Sequence, residues 1–302
     1  MSTTAYIFPG QGSQYVGMGK DLFEQNSTAK ELFQQADAIL GFSLSNICFE
    51  GPEQDLKQTK NTQPAIFLHS VIVSKLIPQH DIAMVAGHSL GEYSALVYAG
   101  ALSFEDGLKI VRLRGELMQQ AGELQPGTMA AVVGLESVVL EAVCAEASAE
   151  GIVQCANFNS PGQIVISGSV AGVRKGMELA KARGAKLVKE LVVSGAFHSP
   201  LMEYAVEGLS SALNNTQINN ARIPVYANVT AKPVTEKEEI RQLLKDQLTK
   251  PVRWEESVKN MVVAGAKKFV EIGPGKVLQG LVKRIDTSVE TSGMDKISEI
   301  GL

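Results

Sequence analysis

Cysteine and histidine are scarce in this chain: its 302 residues include three of the first and four of the second. Cys48, Cys144 and Cys155 lie far apart, form no C-x-x-C pair and stand away from any histidine cluster, which argues against a disulfide framework or a zinc site. Charge of one sign is also lacking. Lys and Arg number 28 against 32 Asp and Glu, a formal net charge of −4, too balanced for a nucleic-acid surface over the whole molecule. There is no long hydrophobic run either, since AIFLHSVIVSKLI (65–77) is interrupted by His69, Ser70, Ser74 and Lys75 and reads as a buried helix rather than a bilayer span. The N-terminus carries no basic residue before Lys20 and only the short AYIF run, which does not make a signal peptide. Reduced thiols and no targeting segment point to the cytoplasm, with no membrane or nucleic-acid partner.

What remains, 45% hydrophobic and 20% charged residues, is the composition of an ordinary soluble globular protein. The length suits two domains at ~150 residues each, and a chain of this size buries about 75% of its unfolded surface without a staple. AYIF (5–8) runs into the Gly-rich PGQGSQ (9–14), and a helical pattern follows from Met18 to Leu40. A second helix after Gln63-Pro64 leads to the compact strand IAMVAG (82–87), which turns directly into HSLGEYSALVYAG (88–100). Residues 103–122 are again helical, with Leu108, Val111, Leu113 and Leu117 on nearby faces.

From Thr128 the rhythm becomes strand, helix, strand, strand, helix, strand, the βαββαβ order of a ferredoxin-like unit. Residues 128–195 therefore read as a small domain inserted into a larger α/β domain formed by 1–127 and 196–290. A helix (200–213), a strand (223–229), a second strand (267–273) and a last helix (276–285) complete the large domain, whose alternation predicts a mostly parallel sheet covered on both faces. The end, 291–302, is polar and aperiodic and is expected to be mobile.

The sharpest chemical signal is Gly87-His88-Ser89-Leu90-Gly91, a G-x-S-x-G between strand and helix, the context of a nucleophile elbow. The two glycines leave room for a tight turn, and Ser89 falls at a helix N-terminus where free N–H groups can hold an oxyanion. The plainer alternative is a Gly-rich turn. Among the histidines, His69 lies mid-helix on an apolar face and reads as core, His80 as a solvated loop residue, and His88 as a support for the turn. His198, at a strand end in SGAFHSP, is left as the base. No acidic residue has an obvious place as third triad member, so a carbonyl accepting from Nδ1–H remains an option. Arg112 and Arg114, two apart on a helix, face different ways. An inward Arg114 would require an anion and would suit a carboxylate; alone, it reads more simply as a surface arginine. GPGK (273–276) lacks the Ser or Thr of a phosphate loop, and Gly10-Gln11-Gly12 lacks the third glycine of a dinucleotide fingerprint.

FPGQGSQ (8–14), GHSLGEYSAL (87–96), RLRGELMQ (112–119), NFNSPGQIVISG (157–168), GAFHSPLM (195–202), QLTKPVRW (247–254) and EIGPGKVLQGL (271–281) together resemble the malonyl-CoA:acyl carrier protein transacylase family. The resemblance covers residues 5 to about 285 and implies an α/β-hydrolase-like large domain with an inserted ferredoxin-like small one. By resemblance Ser89 is the nucleophile that takes the malonyl group, His198 its base, and Gln11 and Leu90 the donors of the oxyanion hole. Arg114 then binds the malonyl carboxylate, and the Gln247 main-chain carbonyl orients the histidine. Asn159 lies in a motif lining the cleft. Phe197 beside the base would crowd an α-methyl group and favour malonyl over methylmalonyl, although one methyl is worth only ~1–3 kcal/mol.

The family's chemistry implies ping-pong transfer from malonyl-CoA to the phosphopantetheine thiol of acyl carrier protein in fatty-acid synthesis, with no cofactor and no metal, by a cytoplasmic monomer. A polyketide acyltransferase, a serine thioesterase or hydrolase and a silent carrier-binding module are the competing readings. Lys181, Arg183, Lys186 and Lys189 are a candidate docking patch for an acidic carrier, or ordinary solvated side chains.

Overall fold

The computed structural model describes residues 3–78 and 82–301, so His80 lies outside the described residues. Its strands are β1 (Thr3–Phe8), β2 (Ile82–Gly87), β3 (Gly127–Val133), β4 (Val153–Ser160), β5 (Gln163–Ser169), β6 (Leu187–Glu190), β7 (Val225–Tyr226), β8 (Pro233–Val234), β9 (Ala266–Ile272) and β10 (Glu290–Met294). Six of them form the central sheet in the order β10-β9-β1-β2-β7-β8, parallel except for the last pair. Its middle strands are apolar without interruption because both faces are covered. In β1, Tyr6 and Phe8 enter the core packed by the helices Thr59–Leu76 and Gly91–Tyr98, while Ala5 and Ile7 enter a second core with Trp254, Phe269 and Val282.

The second sheet is antiparallel, in the order β4-β5-β3-β6, with the helices Ser137–Ala147 and Val170–Ala182 on one face. That is the ferredoxin-like arrangement expected from the element order. Its other face is not solvated: Met129, Ala156 and Val165 join the main core. β4 is also tied to the segment that precedes the helix Trp254–Val263, where Phe158 N–H donates to Val252 C=O (2.9 Å) and Val252 N–H to Ala156 C=O (2.8 Å).

Several sequence expectations are corrected. The segment 291–302 is not a mobile tail through its described part. β10 adds to β9 from Glu290 to Met294, and Asp295 behind it accepts from Tyr15 Oη (3.0 Å) and Gly275 N–H (3.2 Å) and lies 3.2 Å from His69 Nε2. The helix expected over 18–40 is two, Lys20–Gln25 and Ser27–Leu40, because Asn26 leaves helical geometry and caps the second by accepting from Ala29 N–H (3.0 Å). The strand expected over 223–229 pairs only at Val225–Tyr226. The helix placed after Gln63-Pro64 begins at Thr59. Proline within it removes the partner of the Lys60 carbonyl, which instead accepts from Arg112 Nη1 at 2.8 Å.

Candidate active site

At the end of β2 the chain reverses into the helix Gly91–Tyr98, and Ser89 takes φ +51° at the bend. Glycines make the bend possible by close approach. A Cβ on Gly87 would fall 1.9 Å from the Gly91 carbonyl carbon, and one on Gly91 would fall 2.1 Å from the Phe8 oxygen. Gly10, in the loop after β1, would likewise meet the His88 oxygen at 2.3 Å. The elbow is thus pressed against the end of β1, which brings Gln11 to the nucleophile's side.

His198 Nε2 lies 2.8 Å from Ser89 Oγ, and His198 Nδ1 lies 2.8 Å from the main-chain oxygen of Gln247. A carbonyl only accepts, so the imidazole proton is on Nδ1 and the Nε2 lone pair faces the hydroxyl. Burial, and then the nearby Arg114 charge, push the His198 pKa down to about 3. The ring is therefore neutral at neutral pH.

Arg114 points inward from the helix Phe104–Leu124 and is 1% exposed. Its Nη1 donates to Gln63 Oε1 (2.7 Å), and its Nη2 to Gln247 Oε1 (2.9 Å) and Ser89 Oγ (3.2 Å). Among the described residues Nε has no acceptor, and the guanidinium carbon stands 5.6 Å from the centre of the Tyr93 ring. Among the described residues no carboxylate forms an ion pair with it. Glu92 reaches it only at one remove, accepting from Gln247 Nε2 at 2.8 Å. Burial raises the Glu92 pKa to about 7 against the opposing pull of its hydrogen bonds and of Arg114. A buried cation held by neutral amides is poised for an anion.

These groups open on a cavity of about 260 Å³. Gln11, Ser89, Leu90, Arg114, Asn159, Phe197 and His198 all line it, whereas Gln247 lies behind them, fully buried. The N–H groups of Gln11 and Leu90 have no acceptor among the described residues. His88 Nε2 donates to Asn159 Oδ1 (2.8 Å) and so supports the bend from the side, and His69 is a core residue. Lys181, Arg183, Lys186 and Lys189 are exposed, with Arg183 paired to Glu146. The sequence did not single out Gln63, Glu92 or Asn228. Asn228 accepts from Ser89 N–H and donates to Gly87 C=O, both at 2.6 Å. Among the described residues no group of three or more His, Cys, Asp or Glu is placed to hold a metal, and no helix is long and apolar enough to cross a membrane.

The sequence profile of the acyl transferase domain matches residues 5–301. The chain belongs to this acyl transferase family. The transferase is 49% identical over 294 residues to the malonyl CoA-acyl carrier protein transacylase of Bacillus subtilis, covering 96% of this chain and 93% of that one. The solved malonyl CoA-acyl carrier protein transacylase of Coxiella burnetii superposes with a TM-score of 0.96 at 39% identity, over 99% and 96% of the two chains. A malonyl-transacylase solved with its type II PKS acyl-carrier protein superposes at 0.94 and 38% identity, over 99% and 98%. The transferase shares with them the parallel-rich sheet and the separate antiparallel one.

Proposed function

We propose that this protein moves a malonyl group from malonyl-CoA to the phosphopantetheine thiol of acyl carrier protein through an ester on Ser89. The observation that carries the reading is Arg114, a buried guanidinium with no carboxylate partner among the described residues, 3.2 Å from the nucleophile's oxygen. A neutral acyl group gives such a cation no work. A malonyl carboxylate does, and anchoring it places the thioester carbonyl over Ser89.

His198 accepts the Ser89 proton at Nε2 as Oγ attacks the thioester carbon, and the tetrahedral oxyanion falls to the N–H groups of Gln11 and Leu90. Collapse breaks the C–S bond, and His198 returns the proton to the departing coenzyme A sulfur. The carrier thiol then enters, loses its proton to His198 and attacks the Ser89 ester; collapse breaks the bond from the acyl carbon to Ser89 Oγ, His198 returns the proton to Oγ, and the kinetics are ping-pong. The carboxylate serves a second purpose. It offsets the Arg114 charge that depresses His198, so the base strengthens when the correct substrate is bound. Asn159 and Phe197 shape the acyl pocket, and the scheme uses no cofactor or metal. The chain is read as a cytoplasmic monomer in which 128–195 forms the smaller domain, and fatty-acid synthesis as the setting.

The test is incubation with malonyl-CoA alone, followed by intact and peptide mass spectrometry. A malonyl adduct on Ser89, absent in Ser89→Ala, is expected. Release of free malonate without an adduct would make the protein a hydrolase, and neither product would make it a binding module.

A further inference from the structure

We infer that Asn228 is a positioning residue for the nucleophile: its carboxamide continues the β2 ladder past the end of β7 and so fixes the bend that aims Ser89 Oγ. The inference rests on Ser89 being that nucleophile.

β2 and β7 pair at Val85 with Val225 and at Ala86 with Tyr226, and there β7 ends. The next backbone groups of the elbow, Gly87 C=O and Ser89 N–H, would be left without strand partners just where the chain turns inside the protein. Asn228 supplies both partners from one side chain. Nδ2 donates to Gly87 C=O at 2.6 Å, and Oδ1 accepts from Ser89 N–H at 2.6 Å. A carbonyl cannot donate and an N–H cannot accept, so the amide has one possible orientation. Its own backbone is pinned as well. Asn228 N–H donates to Glu92 Oε2 (3.0 Å), and its C=O accepts from Arg253 N–H (2.9 Å). The residue is 1% exposed.

The mechanical consequence is specific to the bend. Ser89 at φ +51° occupies the left-handed region, which is strained for a non-glycine residue and persists only where the surroundings hold it. Asn228 and Gln247, whose Nε2 donates to Ser89 C=O at 3.0 Å, hold the two ends of that residue. The Asn228 bond also commits the Ser89 N–H. That leaves the next N–H along, Leu90, as the elbow's donor to an oxyanion. A nucleophile displaced by about 1 Å loses on the order of 10²-fold in rate.

Asn228→Ala and Asn228→Asp test this, each assayed as folded protein with the folded fraction set by circular dichroism. The reading expects single-turnover acylation by malonyl-CoA to fall by about 10²-fold in both, with the malonyl-CoA dissociation constant within about threefold of wild type because Arg114 is untouched. In Asn228→Asp the ionised second oxygen faces Gly87 C=O and cannot donate, whereas the protonated acid can. Its acylation rate relative to wild type therefore rises as pH is lowered from 8 to about 5. A merely structural asparagine would lower stability and leave both the rate per folded molecule and its pH dependence as in wild type. That result overturns the inference, as does an Asn228→Asp rate within about threefold of wild type at pH 8. Failure of the underlying reading shows elsewhere, as a malonyl adduct that survives Ser89→Ala.

Discussion

Replacing Arg114 with alanine should change which acyl group the protein accepts. A bidentate carboxylate on the guanidinium gains two charge-assisted hydrogen bonds at ~1.5–3 kcal/mol each, so their loss amounts to ~3–6 kcal/mol. That is a factor of ~10²–10⁴ in kcat/KM for malonyl-CoA. The substitution does other things as well. It strips the acceptors Gln63 Oε1 and Gln247 Oε1 of their donor, removes the Nη2 contact to Ser89 Oγ, and relieves the charge that depresses His198. Acetyl-CoA, identical but for the carboxylate, reports the lost amide and Ser89 contacts without the recognition, and it alone gains fully from the relief of His198, because a bound malonyl carboxylate already offsets the Arg114 charge in wild type. The decisive quantity is therefore the malonyl-to-acetyl ratio of kcat/KM, measured by release of the coenzyme A thiol in the variant and in wild type. It should fall by ~10²–10⁴, and a fall below about tenfold would refute carboxylate recognition by Arg114.

His198 is held neutral with its pKa near 3, below the usual 6.5, so the unfolded chain binds one more proton than the native one between those values and stability is lost as pH falls from 6.5 toward 3. His198→Gln should therefore cut the pH slope of the urea-unfolding free energy by ~1.4 kcal/mol per pH unit near pH 5, and an unchanged slope would mean that the ring is not held neutral. Asp295→Ala should cost ~2–5 kcal/mol in the same assay, since Tyr15 Oη and Gly275 N–H lose their acceptor; a change under ~1 kcal/mol would mean that these Asp295 contacts carry no weight. Gly91→Ala drives a methyl to 2.1 Å from the Phe8 oxygen and should cost ~3 kcal/mol together with most of the activity, whereas wild-type acylation would show that the elbow does not need that contact.

Local features were legible in the sequence and distant ones were not. The strand, bend and helix at Ser89 announce themselves because the apolar run and both glycines fall within ten residues. The βαββαβ order was readable because β3 to β6 are short and follow one another in the chain, separated by two helices and one tight turn. β10 was missed for the opposite reason: ETSGM has no apolar period, since an edge strand with its five residues exposed or half-buried needs none. Asn26 carried a readable cap signal inside the 18–40 pattern, but continuous periodicity masked it. The inward turn of Arg114 could not be chosen over the outward turn of Arg112 from spacing alone, and the family resemblance supplied that choice. Asn228 and Gln63 gave no signal at all. Each is one polar residue whose meaning arises from a partner 139 or 51 positions away.

The missing acidic member of the triad follows from the presence of Arg114. A carboxylate beside His198 would orient the ring and stabilise the imidazolium, but it would also stand within reach of a buried guanidinium. The two would pair, and the cation would no longer be available to a substrate. The Gln247 carbonyl fixes the same tautomer without bringing charge, and its side chain holds Arg114 through an oxygen that is likewise neutral. The nearest acid, Glu92, is kept on the far side of that amide with its pKa raised to about 7 by burial, so it quenches Arg114 weakly. The cost falls on the base, which burial and the unpaired guanidinium together hold far below its usual basicity. A carboxylate-bearing acyl group removes part of that cost when it binds and an acetyl group does not. Selectivity and activation thus draw on the same unpaired charge.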